Sequence, residues 1–351
     1  MKIAIAVSGL ACNGAVMYAK RLVSLLKDRG HSIWLLAENG SWITQNVGDG
    51  AKLFVTDFRR RTSEFQKVAA FCREEGIDIL HSHTTSASSF AAILRLFFGI
   101  RTIAHLHNNN FAPHAWFQSH VLAVSLHTLR CHQYRLAGIF RSGSVLYNFV
   151  DPVVFHRRES PDRLRELLGV DPDVPVLLVS GNICHRKGQD LAVRSMVEIR
   201  KHVPNAILAL AGTGRLPQSL SKPYVRFLGH RDDLPELLPF ATVLLVPSRS
   251  EPFSLAAVEA MACQVPVIVT AAGGVEEVAA NGGGIIVRRR SFDALANAAV
   301  RLLVDPIERR RQAMAGFDRA QKHFGILQHL DALERRYCQV KSVSGQIPRR
   351  S

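Results

Sequence analysis

The run from Ser248 to Ala262, Ser-Arg-Ser-Glu-Pro-Phe-Ser-Leu-Ala-Ala-Val-Glu-Ala-Met-Ala, places a strand end, a loop and a helix in succession. The apolar residues Ala241–Val246 before it predict a buried strand that stops at Pro247. Leu255–Cys263 is rich in helix formers, with Ser254 as its N-cap. Glu251 then falls on the strand-to-helix loop, and Glu259 just over one turn into the helix. Free amides at a helix start favour anionic or hydroxyl-rich ligands, and two nearby carboxylates accept several hydroxyl protons. Glutamate near a helix start is also a common and mildly stabilising choice. The chemical reading therefore rests on what surrounds the pair.

Outward from this run, the same alternation repeats. Lys2–Ser8 predicts a first strand, Gly9–Gly14 a turn and Ala15–Arg29 a helix that Gly30 closes. Ser32–Ala37, Ile77–His81, Arg101–His105, Val121–Ser125 and Ser144–Tyr147 predict further strands, with helices over Phe65–Glu75 and Ser88–Phe98. Asn148–Val174 changes character: Pro152, Pro161 and Pro172 sit among dense charges, as in a connection with a short helix. A second series follows, with strands at Val176–Ser180, Ala206–Ala211, Val225–Leu228, Ala241–Val246, Val265–Thr270 and Gly284–Val287. Its helices are Gln189–His202, Phe292–Val304 and Glu308–Ala320. Strands alternating with helices predict an α/β fold with two doubly wound parallel sheets. Such sheets bind ligands outside the carboxyl ends of their strands, so a cleft between the two is the expected site.

A chain of 351 residues is long enough for two cores, and 47% hydrophobic with 21% charged residues fits an ordinary globular protein. The six cysteines are widely spaced without a C-x-x-C pair, which argues against a zinc ribbon or disulfide scaffold, and most of them sit in apolar contexts as expected of buried thiols in a reducing compartment. No apolar stretch is long enough to span a bilayer, and Met1–Leu10 reads as a first strand and not as a signal peptide. The formal charge of +15 is shared: residues 1–150 carry 16 Lys and Arg against 8 Asp and Glu, and the remainder 28 against 21. A partner of opposite sign is expected, be it a phosphorylated substrate, an anionic membrane surface or nucleic acid. No zinc finger or aromatic RNA-binding signature favours the last. The end, Ile347–Ser351, is basic and expected to be disordered.

Gly181-Asn182-Ile183-Cys184-His185-Arg186-Lys187-Gly188 lies between a strand and a helix, where glycines admit a ligand and Lys187 can neutralise a phosphate. Thr270–Glu277 follows another strand and carries Gly273 and Gly274. The turn Gly9–Gly14 is not G-x-G-x-x-G, so a dinucleotide site is weakly supported. His81, His83, His105 and His107 sit at strand ends with i, i+2 spacing, so each pair shares a face. Zinc is imaginable there, but no carboxylate or cysteine completes the set, and polar site or structural histidines are expected instead. Asp171-Pro172-Asp173 reads as a turn. Neither a G-x-S-x-G elbow nor a Walker A loop occurs. Phosphate-facing amides beside hydroxyl-facing carboxylates suit a nucleotide sugar.

Taken together, these segments resemble the retaining family 4 glycosyltransferases of the GT-B fold. The resemblance covers most of the chain and is most specific from Val246 to Cys263, at Pro266–Ile268 and at Gly273–Glu277. Gly181–Gly188, Gly212–Gly214, Phe227–Gly229 and Asn148–Asp151 support it, and Asp78–His83 with Ala104–His107 look similar to the family's acceptor-side loops. It implies two Rossmann-like domains: an acceptor-binding domain over 1–160, a nucleotide-sugar-binding domain over 161–320, and a C-terminal helix with a basic tail over 321–351 that can pack back on the first domain. It implies that Glu259 holds the donor ribose hydroxyls and Glu251 those of the transferred sugar. Backbone amides near Phe253, Ser254 and Leu255 would meet sugar and diphosphate, as would the glycine loop at Gly273 and Gly274. Lys187 would stabilise the leaving diphosphate, and His107 would lie near the reacting sugar. Gly14 would let the first loop approach the diphosphate or the acceptor. Asn182 stands where the family often has an arginine, a loss that Arg186 could offset, and Phe149 stands where glycine usually follows the asparagine.

The expectation is therefore a hexosyltransferase-type enzyme that uses a UDP- or GDP-sugar on a glycan, lipid-linked or cell-surface polysaccharide acceptor. No metal or other cofactor is required. A cytoplasmic location is expected, with peripheral docking on the anionic inner face of the membrane. A nucleotide-sugar epimerase of similar architecture and a non-catalytic sugar-nucleotide-binding subunit are the competing readings. Acceptor choice is expected in first-half loops, including Asn108–Phe111 and Trp42, where no rule reads the specificity.

Overall fold

The computed structural model describes residues 1–110, 112–135 and 143–343. Phe111 and the basic tail Ile347–Ser351 lie outside the described residues. Among the described residues, Met1–Tyr147 and those from His329 onward form one compact unit, and Asn148–Gln328 forms the other.

The first unit runs β1 (Lys2–Val7), α1 (Gly14–Asp28), β2 (Ser32–Ala37), α2 (Trp42–Asn46), β3 (Lys52–Val55), α3 (Thr62–Glu74), β4 (Ile79–Ser82), α4 (Thr85–Phe98), β5 (Thr102–Leu106), β6 (His120–Ala123), α5 (Leu126–Arg135) and β7 (Gly143–Val145). Its parallel strands lie in the order β3-β2-β1-β4-β5-β6-β7. Asn13 starts α1 by accepting from the amides of Ala15 and Val16, and the stripe Val16, Ala19, Leu22, Val23, Leu26 buries one face of the helix. Gly30, at φ +81°, then turns the chain into β2. The register pairs Ile5 with His81 and His81 with Ile103, so these three share one face of the sheet. The opposite face, with Ala4, Ala6 and Leu80, packs on Val68, Ala69, Phe90, Ala91 and Leu94 of α3 and α4.

Three elements of this unit, α2, β3 and α5, escaped the sequence pattern, the last two for a physical reason. β3 is a four-residue edge strand whose Leu53 and Val55 stay exposed, so burial imposes no alternation on it. α5 is built from Leu-His-Thr-Leu-Arg-Cys-His-Gln-Tyr-Arg, whose apolar residues are too few for a helical stripe.

The second unit runs α6 (Arg163–Leu168), β8 (Val176–Ser180), α7 (Gln189–His202), β9 (Ile207–Ala211), β10 (Val225–Gly229), α8 (Leu234–Leu237), β11 (Val243–Val246), α9 (Leu255–Ala262), β12 (Val267–Thr270), α10 (Gly274–Ala279), β13 (Ile285–Val287), α11 (Phe292–Val304) and α12 (Pro306–His323). The parallel order is β10-β9-β8-β11-β12-β13. Leu177, Val179, Leu208, Leu210, Val243 and Leu245 meet Ala192, Met196 and Ile199 of α7 and Leu295 and Ala299 of α11 in one core. The proline-rich connection belongs to this unit. Arg165 of α6 donates to the carbonyls of Val174 and Phe240, both at 2.9 Å. Asp171–Asp173 is a turn, with the Val174 amide on the Asp171 carbonyl at 3.1 Å, and Phe149 is buried. The last helix, α13 (Ile326–Val343), carries the chain into the first unit.

Each sheet is doubly wound about its first strand. β1 and β4 are neighbours in one, β8 and β11 in the other, and the connections leaving each pair diverge.

Candidate active site

The crevice where β8 and β11 part is the position at which an open α/β sheet receives a ligand. The loop after β8 brings Lys187 there and the loop after β11 brings Glu251. Lys187 Nζ donates to Glu251 Oε2 at 2.7 Å, and Ser248 Oγ donates to the same oxygen at 2.9 Å. Arg186 turns toward this carboxylate too: its Nη1 lies 3.8 Å from Oε2 and donates to the Ser250 carbonyl at 3.0 Å. Glu251 is 5% exposed. Its amide donates to Ala272 O at 2.8 Å, which laces the β11 loop to the β12 loop. Two charges this far out of water add little to stability.

Close backbone contact holds these loops in place. Gly188 has φ +71°, and a Cβ there would sit 2.0 Å from the Pro247 carbonyl. At Gly212 a Cβ would fall 2.1 Å from Gly181 O. Buried Gln189 clamps the β8 loop, its Nε2 donating to Asn182 O at 3.0 Å and Gly181 O at 3.3 Å. Arg249 grips Asp190 with two bonds of 2.7 Å. Those bonds hold the Asp190 carboxyl below the usual carboxylate range and raise Arg249 in turn. The charge of Arg249 is thus engaged by Asp190, while Lys187 and Arg186 converge on Glu251. Ser248 and Arg249 stand in the most specific stretch of the sequence but gain no role from it, and Gln189 and Asp190 carry no motif signal.

α9 starts as the sequence predicts. Ser254 caps it, with Oγ accepting from the Ala257 amide at 3.3 Å, and adopts φ +92°, ψ 92°. Leu255 is the first helical residue. Phe253 is buried edge-on against Phe324 at 5.5 Å, so its ring is a core anchor. Glu259, the fifth residue of α9, is 8% exposed. Burial, and then the Glu259 carboxylate, push the Cys263 thiol up to about 12. Gly273, at φ +107°, gives its amide to Glu276 Oε1 at 2.9 Å, and Gly274 opens α10. The Gly273 amide therefore serves its own turn. Asn182 is exposed on the β8 loop, its Oδ1 accepting from Thr213 Oγ1 at 3.2 Å.

Gly14 and His107 belong to the first unit. Gly14 opens α1 with nothing within 4 Å of where a Cβ would stand. His107 follows β5 directly, and its Nε2 lies 3.3 Å from Nδ1 of His83. Burial, and then His329, push His107 down to about 3, so at neutral pH it is an uncharged ring that exchanges hydrogen bonds. Around it stand His81, His83, His105 and Tyr18, with Tyr18–ring distances of 5.4, 5.0 and 5.1 Å to His83, His105 and His107. α13 closes this group: Tyr337 Oη is 2.7 Å from His81 Nδ1, and His329 Nε2 is 2.7 Å from Tyr18 Oη.

Residues 12–178 match the family model described as Glycosyltransferase Family 4, and residues 174–305 match that described as Glycosyl transferases group 1. N-acetyl-alpha-D-glucosaminyl L-malate synthase of Bacillus anthracis is 29% identical over 230 residues, 59% of this chain and 60% of that protein. The GDP-mannose-dependent monoacylated alpha-(1-6)-phosphatidylinositol monomannoside mannosyltransferase of Corynebacterium glutamicum is 30% identical over 173 residues, 45% of each chain. The matched stretches thus span less than two thirds of these relatives. HepE of Anabaena, solved in complex with UDP, superposes with a TM-score of 0.84 at 20% identity, covering 97% of this chain and 100% of that one. With two doubly wound parallel sheets and successive family matches from residue 12 to residue 305, the chain belongs to glycosyltransferase family 4 and has the GT-B fold.

Proposed function

We propose that the protein transfers a sugar from a UDP- or GDP-sugar to a glycan, lipid-linked or cell-surface polysaccharide acceptor, with retention of anomeric configuration. The observation that carries this reading is the Lys187–Glu251 pair at the β8/β11 crevice, 2.7 Å apart beside a capped helix start. In this reading Lys187 leaves the carboxylate for the donor diphosphate, and Glu251 turns its oxygens to hydroxyls of the transferred sugar. Glu259 takes the ribose hydroxyls. Amides at Phe253, Ser254 and Leu255 face the sugar and diphosphate, and Arg186 adds the cation that Asn182 does not provide. Negative charge builds on the diphosphate as its bond to the anomeric carbon breaks, and preorganised cations and amides stabilise it. No metal is needed for that step. The acceptor oxygen bonds on the same face, and a donor phosphate oxygen takes its proton. His107 is assigned to the reacting sugar and Gly14 to close approach of the first loop.

The names of relatives support both nucleotides: HepE was solved with UDP, and the Corynebacterium relative is named for GDP-mannose. A thermal-shift panel of nucleotide sugars tests the donor, because only a ligand bound by the native state raises the melting point. Product analysis with purified protein then separates the readings. Transfer with a retained anomeric centre is expected. An epimerised free nucleotide sugar, or tight donor binding with neither transfer nor hydrolysis, would overturn it.

Location is a proposal as well. Among the described residues no helix is long and apolar enough to cross a membrane. The excess of 16 basic over 8 acidic residues in 1–150 supports peripheral docking on an anionic cytoplasmic leaflet. Flotation with anionic vesicles at low salt should carry the protein upward, and its absence from the lipid fraction removes the idea.

A further inference from the structure

We propose that His81, His83 and His105 bind one divalent zinc-class metal ion inside the first unit. The inference is independent of the donor site, which lies in the other unit. The three rings offer one ligand nitrogen each, and these nitrogens lie within 4.8 Å of one another. The residues are 0%, 2% and 2% exposed. A tetrahedral zinc ion with Zn–N bonds of about 2.0–2.1 Å needs nitrogens roughly 3.4 Å apart. Modest side-chain rotation closes that gap, since the parallel register already sets His81 beside Ile103 on one face and the i, i+2 spacing adds His83 and His105 to it.

The hydrogen bonds around the rings point the same way. Tyr337 Oη holds Nδ1 of His81, and His107 Nε2 holds Nδ1 of His83. In each ring Nε2 is left buried and without a partner. Neither nitrogen of His105 makes a full hydrogen bond, its approach to the Leu146 backbone falling outside ordinary geometry. Buried polar nitrogens in this condition are costly. One ion would satisfy three of them together. A ligand imidazole is usually held at its far nitrogen by a hydrogen-bond partner; here the Tyr337 hydroxyl and the His107 ring take that place. Burial keeps all three rings neutral, with the lone pairs a metal requires. The sequence reading set a metal aside for want of a carboxylate or thiol. Three imidazoles are a sufficient set, with a fourth position left to water. An ion here would tie β4 to β5 and, through His83, fix the ring of His107.

The rings are enclosed, so the ion would enter as the chain folds. The experiment therefore uses the full chain without an affinity tag, unfolded in chelator and refolded with Zn2+ or Co2+. Metal per chain is read by elemental mass spectrometry, and the cobalt form by its visible absorption. One equivalent per chain and an intense tetrahedral-type cobalt band are expected. His105→Gln should lose both, while His230→Gln, an exposed histidine beside Asp232, should keep them. A refolded wild-type chain with no stoichiometric metal overturns the proposal, as does an unchanged cobalt band in folded His105→Gln. Should His105→Gln fail to fold, the wild-type stoichiometry and band decide alone. None of these readouts depends on sugar transfer.

Discussion

At the carboxyl ends of β8 and β11 a lysine and a glutamate face each other at 2.7 Å; at the carboxyl ends of β4 and β5 four imidazoles cluster, three of them round Tyr18. Both places are strand ends of a doubly wound parallel sheet, and both lie at or beside the point where the connections diverge. The fold supplies the position, and the side chains grafted there decide the chemistry. The second unit keeps its charges paired at a crevice, where the proposed function has a donor diphosphate compete for Lys187. The first unit buries neutral rings that carry no charge to exchange but hold lone pairs in register.

The largest effect should come from removing the charged half. Lys187→Ala is expected to lower transfer by about 10²–10³-fold, the usual loss for one preorganised group that stabilises developing charge. It also leaves Glu251 buried without its lysine, so thermal stability should fall, and Lys187→Ala/Glu251→Gln should recover part of that loss. Steady-state kinetics with melting curves on all three variants would show this. A Lys187→Ala enzyme with nearly normal kcat breaks the comparison.

Acid tests the neutral half. His329 is 5% exposed, and burial pushes it down to about 4. Its unfolded form titrates near 6.5. Between those values the unfolded chain binds the proton and the folded chain does not. Stability is therefore fully present above about pH 6.5 and falls as the pH drops toward 4, by about 1.4 kcal/mol per pH unit for each such histidine. At pH 5 His329 alone should cost about 2 kcal/mol. Urea unfolding at pH 7.5, 6 and 5 measures it, and a flat profile would mean that the rings are not held neutral.

How far the sequence revealed this arrangement depends on the distance of the interaction involved. Apolar runs such as Val176–Ser180 and the cap at Ser254 are local, and they appear in the structure where the pattern places them. Histidines two apart on a strand must share a face, so their grouping was legible as well. Partners far along the chain were not. Lys187 and Glu251 come from loops 64 residues apart, and only the strand order makes them neighbours. The turn of Arg186 toward Glu251 depends on the path of both loops. Tyr337 lies 256 residues from His81, and no spacing rule joins them. Edge strand β3 stayed hidden because its exposed face imposes no hydrophobic alternation.

Two smaller perturbations sharpen the comparison on the charged side. Gly188→Ala forces a methyl against the Pro247 carbonyl at a left-handed backbone position, and should destabilise by about 2 kcal/mol while separating the two loops. Chemical denaturation together with the KM for donor would detect both effects. Asp190→Asn leaves Arg249 without its carboxylate and should cost about 1 kcal/mol, with a modest change in KM. A loss of activity as large as that of Lys187→Ala would mean that Arg249 does more than brace the β11 loop.

The first unit is completed by α13, which arrives only after the whole second unit has been translated. On the ribosome the histidine-bearing face of the first sheet emerges early and is covered last, when Tyr337 reaches His81 and His329 reaches Tyr18. A nascent chain stalled before His329 presents that face to chaperones and stray cations with Tyr18 of α1 beside the rings but without α13. A stop codon before His329 would therefore damage the portion of the protein made first.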